Sequence, residues 1–585
     1  MTMPRETTAN AIIEPPRYPY GRLRLFVLAG LVAVALLAPL LAVLSSVWQE
    51  DSGAWKHIRS TTLADLVSNS LWLLVLVATG AALLGTGSAW LTAKYDWRGR
   101  KTFEWLLVLP LAMPAYVMAY AYTDLLQYAG PVQTGLRELF SWQSKSDYWF
   151  FEIRSLGGAA AVLACALYPY VYLLVRVALL ERSTSLSEVG RNFGYSRLSM
   201  LFRVTLPLAR PAIAAGVALV MMETLADYGT VSYFGINTFT TGIFSAWFAQ
   251  SDRVAAGKLA SILLLFVAMV MLLEQWARRR ARFADNRARP AKRAPISGVA
   301  ALGAFIGCLI PVTVGFVLPL ALLGRLAISE SQAGVDGMAA GALAFTRLDE
   351  FLRLAWNSFS LATLTAAIAV ALGLMLAYTN RRAPSLAMRL ANRAVGLGYA
   401  IPGTVIAVGV LLPVSLLDHR LADFVSAIAG RDVGLILTGG VSVLIYAYLI
   451  RFLAISLETC EAGFAKITPS MDNAARSLGA SNRDVVRLIH VPLLRTTLIT
   501  AGLMVFVDVM KELPATLVMR PFNFDTLAVR AYTLAKDERL AEASAAALAI
   551  VLVGLIPVIF ASRAITMATA GDMPPRSPDS NGRRA

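Results

Sequence analysis

Charge is scarce in this chain. Asp, Glu, Lys and Arg make up 15% of its 585 residues, hydrophobic residues make up 57%, and the mean hydropathy is +0.62. That balance excludes an ordinary water-soluble domain and places the chain among polytopic membrane proteins. Cysteine is nearly absent. Cys165, Cys308 and Cys460 show neither paired nor metal-ligand spacing, so no disulfide or zinc framework is expected. Histidine is as scarce: His57, His419 and His490 are scattered, and none is assigned a ligand role. The phosphate loop G-x-x-x-x-G-K-[ST] is missing as well. The nearest string, Gly80 to Gly85, continues as Thr86-Gly87 without the lysine and lies inside an apolar run.

What the chain has in abundance is apolar runs long enough to cross a hydrocarbon core of about 30 Å. Twelve are expected, near 24–47, 70–92, 105–128, 156–180, 211–233 and 256–277, then 298–324, 355–378, 394–417, 433–457, 496–518 and 541–562. Backbone groups in lipid must be satisfied within their own segment, so these runs are helices, and the expected fold class is an all-α polytopic membrane protein. The first run is too long for the core of a cleaved signal and reads as a retained helix.

The formal net charge of +16 raises nucleic acid as a partner, but the placement of the charges argues for a bilayer and against nucleic acid. Lys94, Arg98, Arg100 and Lys101 share one loop, Arg278 to Arg293 fill a second, and Arg381, Arg382, Arg389 and Arg393 crowd a third. The loops between them are mixed or acidic, as at Glu330, Asp336, Asp349 and Glu350. By the positive-inside rule the basic loops and both termini lie in the cytoplasm. Residues 1–23 are then a cytoplasmic N-terminal segment, 278–297 a basic linker punctuated by Pro290 and Pro295, and 564–585 a disordered tail.

The linker divides two halves, 24–277 and 298–563, that repeat each other. Asn69-Ser70 matches Asn357-Ser358, and Met113-Pro114-Ala115 matches Ile401-Pro402-Gly403, both 288 residues on. Tyr168-Pro169-Tyr170 matches Tyr446-Ala447-Tyr448. The strongest match lies in a basic loop of each half. Glu188-Val189-Gly190, Gly194, Val204, Leu206 and Pro207 correspond to Asn473-Ala474-Ala475, Gly479, Ile489, Val491 and Pro492, at a spacing of 285. Six spans per half give both copies one orientation, a parallel repeat about an axis normal to the membrane. Each loop (181–210 and 458–495) then offers the cytoplasm a short polar segment. Gly194 and Gly479 permit a tight turn, and Pro207 and Pro492 mark entry to the next span. The second copy has Asn473 where the first has Glu188, with Asp472 one residue earlier as a possible substitute.

The span after each loop carries charge that lipid would not tolerate. Glu223 and Asp227 in the first half, and Asp508 and Glu512 in the second, are each spaced i,i+4 and lie 285 residues apart position by position. That spacing puts both carboxylates of a pair on one helical face. Intramembrane carboxylates turn toward a bundle interior or a pathway. Four of them facing a pseudo-two-fold axis would suit a hard, oxygen-seeking cation. Pairing between helices, with Lys511 as partner, or a helix break near Pro514 that puts them in water at the outer surface, are the alternatives.

The doubled loop resembles the cytoplasmic coupling loop of ATP-binding-cassette importer permeases, with two permease domains fused in one chain. The resemblance implies the type I importer permease fold and assigns Glu188, Gly190, Gly194, Pro207, Asp472, Asn473, Ala474, Ala475, Gly479 and Pro492 to the ATPase-coupling loops. It also implies two copies of a separate ATP-binding subunit that holds ATP and magnesium, a periplasmic substrate-binding protein, and a bacterial inner-membrane location. This chain itself would hold no cofactor, no firmly bound metal and no catalytic residue.

Two longer stretches narrow the family. Glu223-Thr-Leu-Ala-Asp227-Tyr228-Gly-Thr-Val-Ser-Tyr-Phe-Gly is similar to the first half of ferric-iron importer permeases. Lys511-Glu512-Leu-Pro-Ala-Thr, followed by Arg520-Pro-Phe-Asn-Phe-Asp-Thr-Leu-Ala528, is similar to their second half. The resemblance implies Fe(III) as cargo, with Glu223, Asp227, Tyr228, Asp508, Lys511 and Glu512 as the candidate path. Fused permeases for thiamine or phosphonate share the loop and remain alternatives. A twelve-helix major-facilitator transporter is a third, on the strength of Asp96-Trp97-Arg98-Gly99-Arg100-Lys101.

Overall fold

The computed structural model describes residues 19–180, 197–279, 293–333, 340–382, 384–481 and 484–571. Among them, eleven helices are long and apolar enough to cross a membrane, and a pair bent by 92°, Arg100–Ala112 with Ala115–Phe140, brings the number to twelve when counted as one broken span. In the first half these are α1 (Pro19–Ser45), α2 (Leu63–Lys94), α3 (Ala115–Leu126), α4 (Leu156–Leu180), α5 (Leu206–Ala226) and α6 (Arg253–Arg279). The second half begins with α7, which runs through Gly298–Val312 and, after a π-turn, Leu318–Ala333. It continues with α8 (Ala340–Arg382), α9 (Gly403–Ala429), α10 (Val441–Phe464), α11 (Val491–Met510) and α12 (Leu540–Gly571). Helices α2, α4 and α5 pack on one another, and so do their counterparts α8, α10 and α11. The first helix of each half reaches across to the other: α1 lies on α9, and α7 touches α2 and α3.

Repeat-related residues make the same bonds in both halves. Asn69 Nδ2 donates to the Asn237 carbonyl at 3.0 Å and Asn357 Nδ2 to the Asp525 carbonyl at 3.1 Å. Ser70 and Ser358 accept from the backbone N–H groups of Phe239 and Leu527 at 3.3 and 2.8 Å. Each Asn-Ser dipeptide therefore ties the long second helix of its half to the segment that follows the charged span.

Four expected spans are shorter or broken. Instead of one span over 105–128, the short helix Arg100–Leu106 gives way to a 3₁₀ turn, Leu109–Ala112, and the chain restarts at Ala115. A proline disfavours the helical conformation at the residue before it, and Met113, ahead of Pro114, is extended at φ −98°, ψ 112°. The second half repeats the break: Ile401, ahead of Pro402, sits at φ −84°, ψ 126°, and α9 starts only at Gly403. The expected spans 211–233 and 496–518 end early, at Ala226 and Met510, and each is followed by a short separate helix, Gly229–Tyr233 or Pro514–Met519. Hydropathy alone does not register such breaks, because the residues beyond them are still apolar.

Residues of the basic loops meet between the halves. Tyr95–Asp96 pairs in parallel with Ala294–Pro295, and Arg293 lies 3.7 Å from Glu104, which also binds Arg176 at 2.9 Å. Two further contacts join the halves. Tyr532 hydrogen-bonds Ser232 at 2.8 Å, and Arg154 binds Glu538 at 3.2 Å.

Candidate functional site

Where the short helices meet the breaks, the halves enclose a cavity of about 130 Å³. Every residue of the candidate path, Glu223, Asp227, Tyr228, Asp508, Lys511 and Glu512, lines it. So do Pro114 at the first break and Tyr170, Tyr399 and Arg451, which the sequence reading did not select. Of these, Arg451 carried a signal: it is an arginine inside an apolar span, and such a residue is a functional candidate by default.

The carboxylates do not share helical faces as the i,i+4 spacing implied. Asp227 follows the last residue of α5 and Glu512 lies two beyond the end of α11. Each instead caps the short helix after the break. Asp227 Oδ1 accepts from the N–H groups of Thr230 and Val231, both at 3.1 Å, and Glu512 Oε1 accepts from Ala515 N–H at 3.2 Å. An acceptor at a helix start satisfies N–H groups that have no partner within the helix. The break expected as an alternative near Pro514 is therefore present, but it does not open Glu512 to water: the residue is 6% exposed.

Two cations answer the four carboxylates. Lys511 Nζ lies 2.7 Å from Asp508 Oδ1, the pairing foreseen for that lysine. Arg451 Nη1 donates to Glu512 Oε2 at 2.8 Å, while Nη2 lies 3.9 Å from Glu223 Oε2 in the other half. Glu223 is thus the most loosely held of the four. Among the described residues no three His, Cys, Asp or Glu side chains group in a way that would hold a metal ion.

Gly403 makes room for the Arg451–Glu512 pair. A Cβ there would stand 2.5 Å from Glu512 Oε1 and 3.2 Å from both Arg451 Nη1 and Ala515 N. Gly403→Ala is expected to destabilise the fold by about 1–3 kcal/mol through overpacking, read as a lower thermal midpoint in detergent. An unchanged midpoint would show that the pair is free to shift.

Of the first coupling loop, Glu188, Gly190 and Gly194 lie outside the described residues. Pro207 is the second residue of α5, just after a π-turn at Leu201–Thr205. Pro492 is likewise the second residue of α11, after a π-turn at Val485–His490. The second loop forms the helix Pro469–Ser477, closed by Gly479 at φ +84°. Gly479 N–H bonds the Arg476 carbonyl and Ala480 N–H that of Ala475, a Schellman turn whose left-handed residue glycine tolerates without strain. Met471, Asn473, Ala474, Arg476 and Leu478 face outward, Leu478 being 89% exposed.

Asp472 and Ala475 face inward. Asp472 therefore does not present itself on the outer face as a stand-in for Glu188. It accepts from His490 Nε2 at 2.8 Å and from Arg381 Nε at 3.1 Å, so it anchors the helix to the bundle. His490, passed over in the sequence, is fully buried. Burial pushes the Asp472 carboxyl up, but the bond and charge of His490, and then Arg381, outweigh it and hold the group below its ordinary value. A lowered folded-state value stabilises above the ordinary 3.8, and this contribution is lost as the pH falls below it. Asp472→Asn should accordingly loosen the helix at neutral pH by about 1.5–3 kcal/mol, the range for charged hydrogen bonds. Tryptic cleavage after Arg476 is the readout, expected to be at least about tenfold faster. Unchanged cleavage would mean that the anchor lies elsewhere.

Residues 81–282 match the family described as binding-protein-dependent transport system inner membrane component. Over 85% of its length the chain is 25% identical to the Fe(3+)-transport system permease protein FbpB 2 of Haemophilus influenzae, covering 89% of that protein. It is 24% identical to the ferric transport system permease protein FbpB of Actinobacillus pleuropneumoniae, over 81% of this chain and 67% of that one. A shorter match, also 24% identical, links 40% of the chain to 83% of the sulfate transport system permease protein CysT of Salmonella typhimurium.

Proposed function

We propose that this chain, a multi-pass inner-membrane permease of the ATP-binding-cassette importer type that resembles ferric-transport permeases, carries ferric iron between its two halves. The observation that supports this cargo is the cavity between the halves, which draws four repeat-related carboxylates and Lys511 from the ends of the charged spans and Arg451 from α10. Fe(III) is a hard cation that seeks oxygen ligands. An oxyanion would meet a surplus of negative charge there, which argues against a sulfate- or phosphonate-like cargo despite the shorter match.

In this reading a periplasmic binding protein delivers iron to the end of the bundle away from the basic loops. Two copies of a separate ATP-binding subunit dock at the cytoplasmic loops 181–210 and 458–495. Their closure is transmitted through the helix Pro469–Ser477 to α11 and through the loop 181–210 to α5, both of which end near the carboxylates. The outward face of Met471, Ala474 and Leu478 supports an apolar seat on that subunit, and the Asp472–His490 bond supports a stiff link from seat to span. ATP and magnesium belong to the partner, and both termini lie in the cytoplasm.

ATP hydrolysis by the purified complex tests the assignment. Iron-loaded binding protein is expected to raise the rate several-fold over iron-free protein. Stimulation by a thiamine-loaded binding protein in its place would overturn the cargo, and failure of any ATP-binding subunit to co-purify would overturn the docking.

A further inference from the structure

Arg451 is a strongly basic group that faces carboxylates of both halves inside the cavity. It belongs to α10, is 7% exposed, and holds Glu512 of its own half at 2.8 Å. Its other terminal nitrogen is 3.9 Å from Glu223 of the first half, too far for a hydrogen bond. Its Nε is buried with no hydrogen-bond partner. A guanidinium beside a cavity, with one donor idle and one carboxylate at arm's length, is poised to exchange partners.

Resting on the ferric-iron reading, we propose that Arg451 is a tethered counter-ion that takes the place of the cargo cation between Glu223 and Glu512 while the cavity is empty, and yields it when a multivalent cation arrives. The chemistry follows from charge. Four carboxylates left uncompensated in a bundle would repel one another, and a protein cation that cannot leave keeps the empty state intact. The same guanidinium repels free cations, so the cavity stays closed to adventitious ions, in the way arginines exclude cations from water pores. A cation of charge three outbids a single guanidinium for Glu223, the more weakly held oxygen pair. Arg451 thereby sets the specificity of the path: a monovalent ion gains no advantage over it.

Terbium(III) provides the test, because it is a hard trivalent cation whose luminescence is sensitised by nearby tyrosines, here Tyr170 and Tyr399. The full-length permease in detergent is titrated with terbium. Arg451→Gln should bind it at least about tenfold more tightly than the natural chain, since a unit positive charge has gone from the site. Arg451→Lys, which keeps the charge, should stay near the natural affinity, and Glu223→Gln added to Arg451→Gln should abolish the gain. Should Arg451→Gln fail to fold, Arg451→Gln/Glu512→Gln removes the buried pair together and is compared with Arg451→Lys/Glu512→Gln: the first should bind about tenfold more tightly, because the two differ only in the positive charge at residue 451. No gain in whichever variant folds, or a gain that survives loss of Glu223, overturns the proposal. The titration reads the cavity's charge without the binding protein or ATP. A gain in terbium binding alongside absent iron transport would leave the counter-ion standing and remove the iron reading alone.

Discussion

Glu512→Gln is expected to destabilise the folded permease by about 3–5 kcal/mol, the usual consequence of leaving one member of a buried ion pair without its partner. Arg451 is 7% exposed, and Glu512 is its hydrogen-bonded carboxylate. The neutral amide can still accept from Ala515 N–H, so the cap of Pro514–Met519 survives and the loss isolates the charge. Removing both members in Arg451→Gln/Glu512→Gln should recover most of the stability, because neither charge is then left to be solvated by the protein alone. Thermal unfolding in detergent, read for the two variants side by side, checks this. A double variant as unstable as the single one would mean that the carboxylate acts through something other than Arg451.

Glu223→Gln separates transport from folding. Glu223 lines the same cavity but meets Arg451 only at 3.9 Å, and its side chain is 22% exposed. Its removal should leave the thermal midpoint near that of the natural chain while iron uptake falls about tenfold, a cost of about 1.4 kcal/mol along the path. With these outcomes the two variants would assign opposite roles to carboxylates that the sequence presents as equals: Glu512 a partner for the buried arginine, Glu223 a receiver of the proposed cargo. Equal uptake with Glu223→Gln in an assembled complex would remove it from the path.

Much of the architecture was legible because the repeat is written in polar residues. Asn69-Ser70 and Asn357-Ser358 stood out in apolar surroundings, and each dipeptide makes the same pair of bonds to its loop. The clustering of the six charged and aromatic residues was legible for the same reason, since all six line one cavity. What escaped was conformation at the breaks. Pro114 and Pro402 were visible as a repeat, yet hydropathy averages over them and reports a continuous span. Once the chain leaves the helix at Ala226 and Met510, the i,i+4 argument no longer applies to Asp227 and Glu512.

Arg451 escaped for a different reason. One arginine barely changes the mean hydropathy of the 24-residue helix α10, and its partner lies 61 residues away on another helix. The inward turn of Asp472 was within reach, because it shares a helical face with Ala475, three residues on. Its bond to His490 was not, since it joins two elements across a turn.

The most direct measurement of the central claim is cargo accumulation in sealed proteoliposomes containing the permease, its ATP-binding subunit and the binding protein. Radiolabelled iron, thiamine and sulfate are supplied in parallel. The account predicts ATP-dependent and binding-protein-dependent accumulation of iron, with no accumulation of the other two. Accumulation of thiamine or sulfate with iron left outside would contradict it.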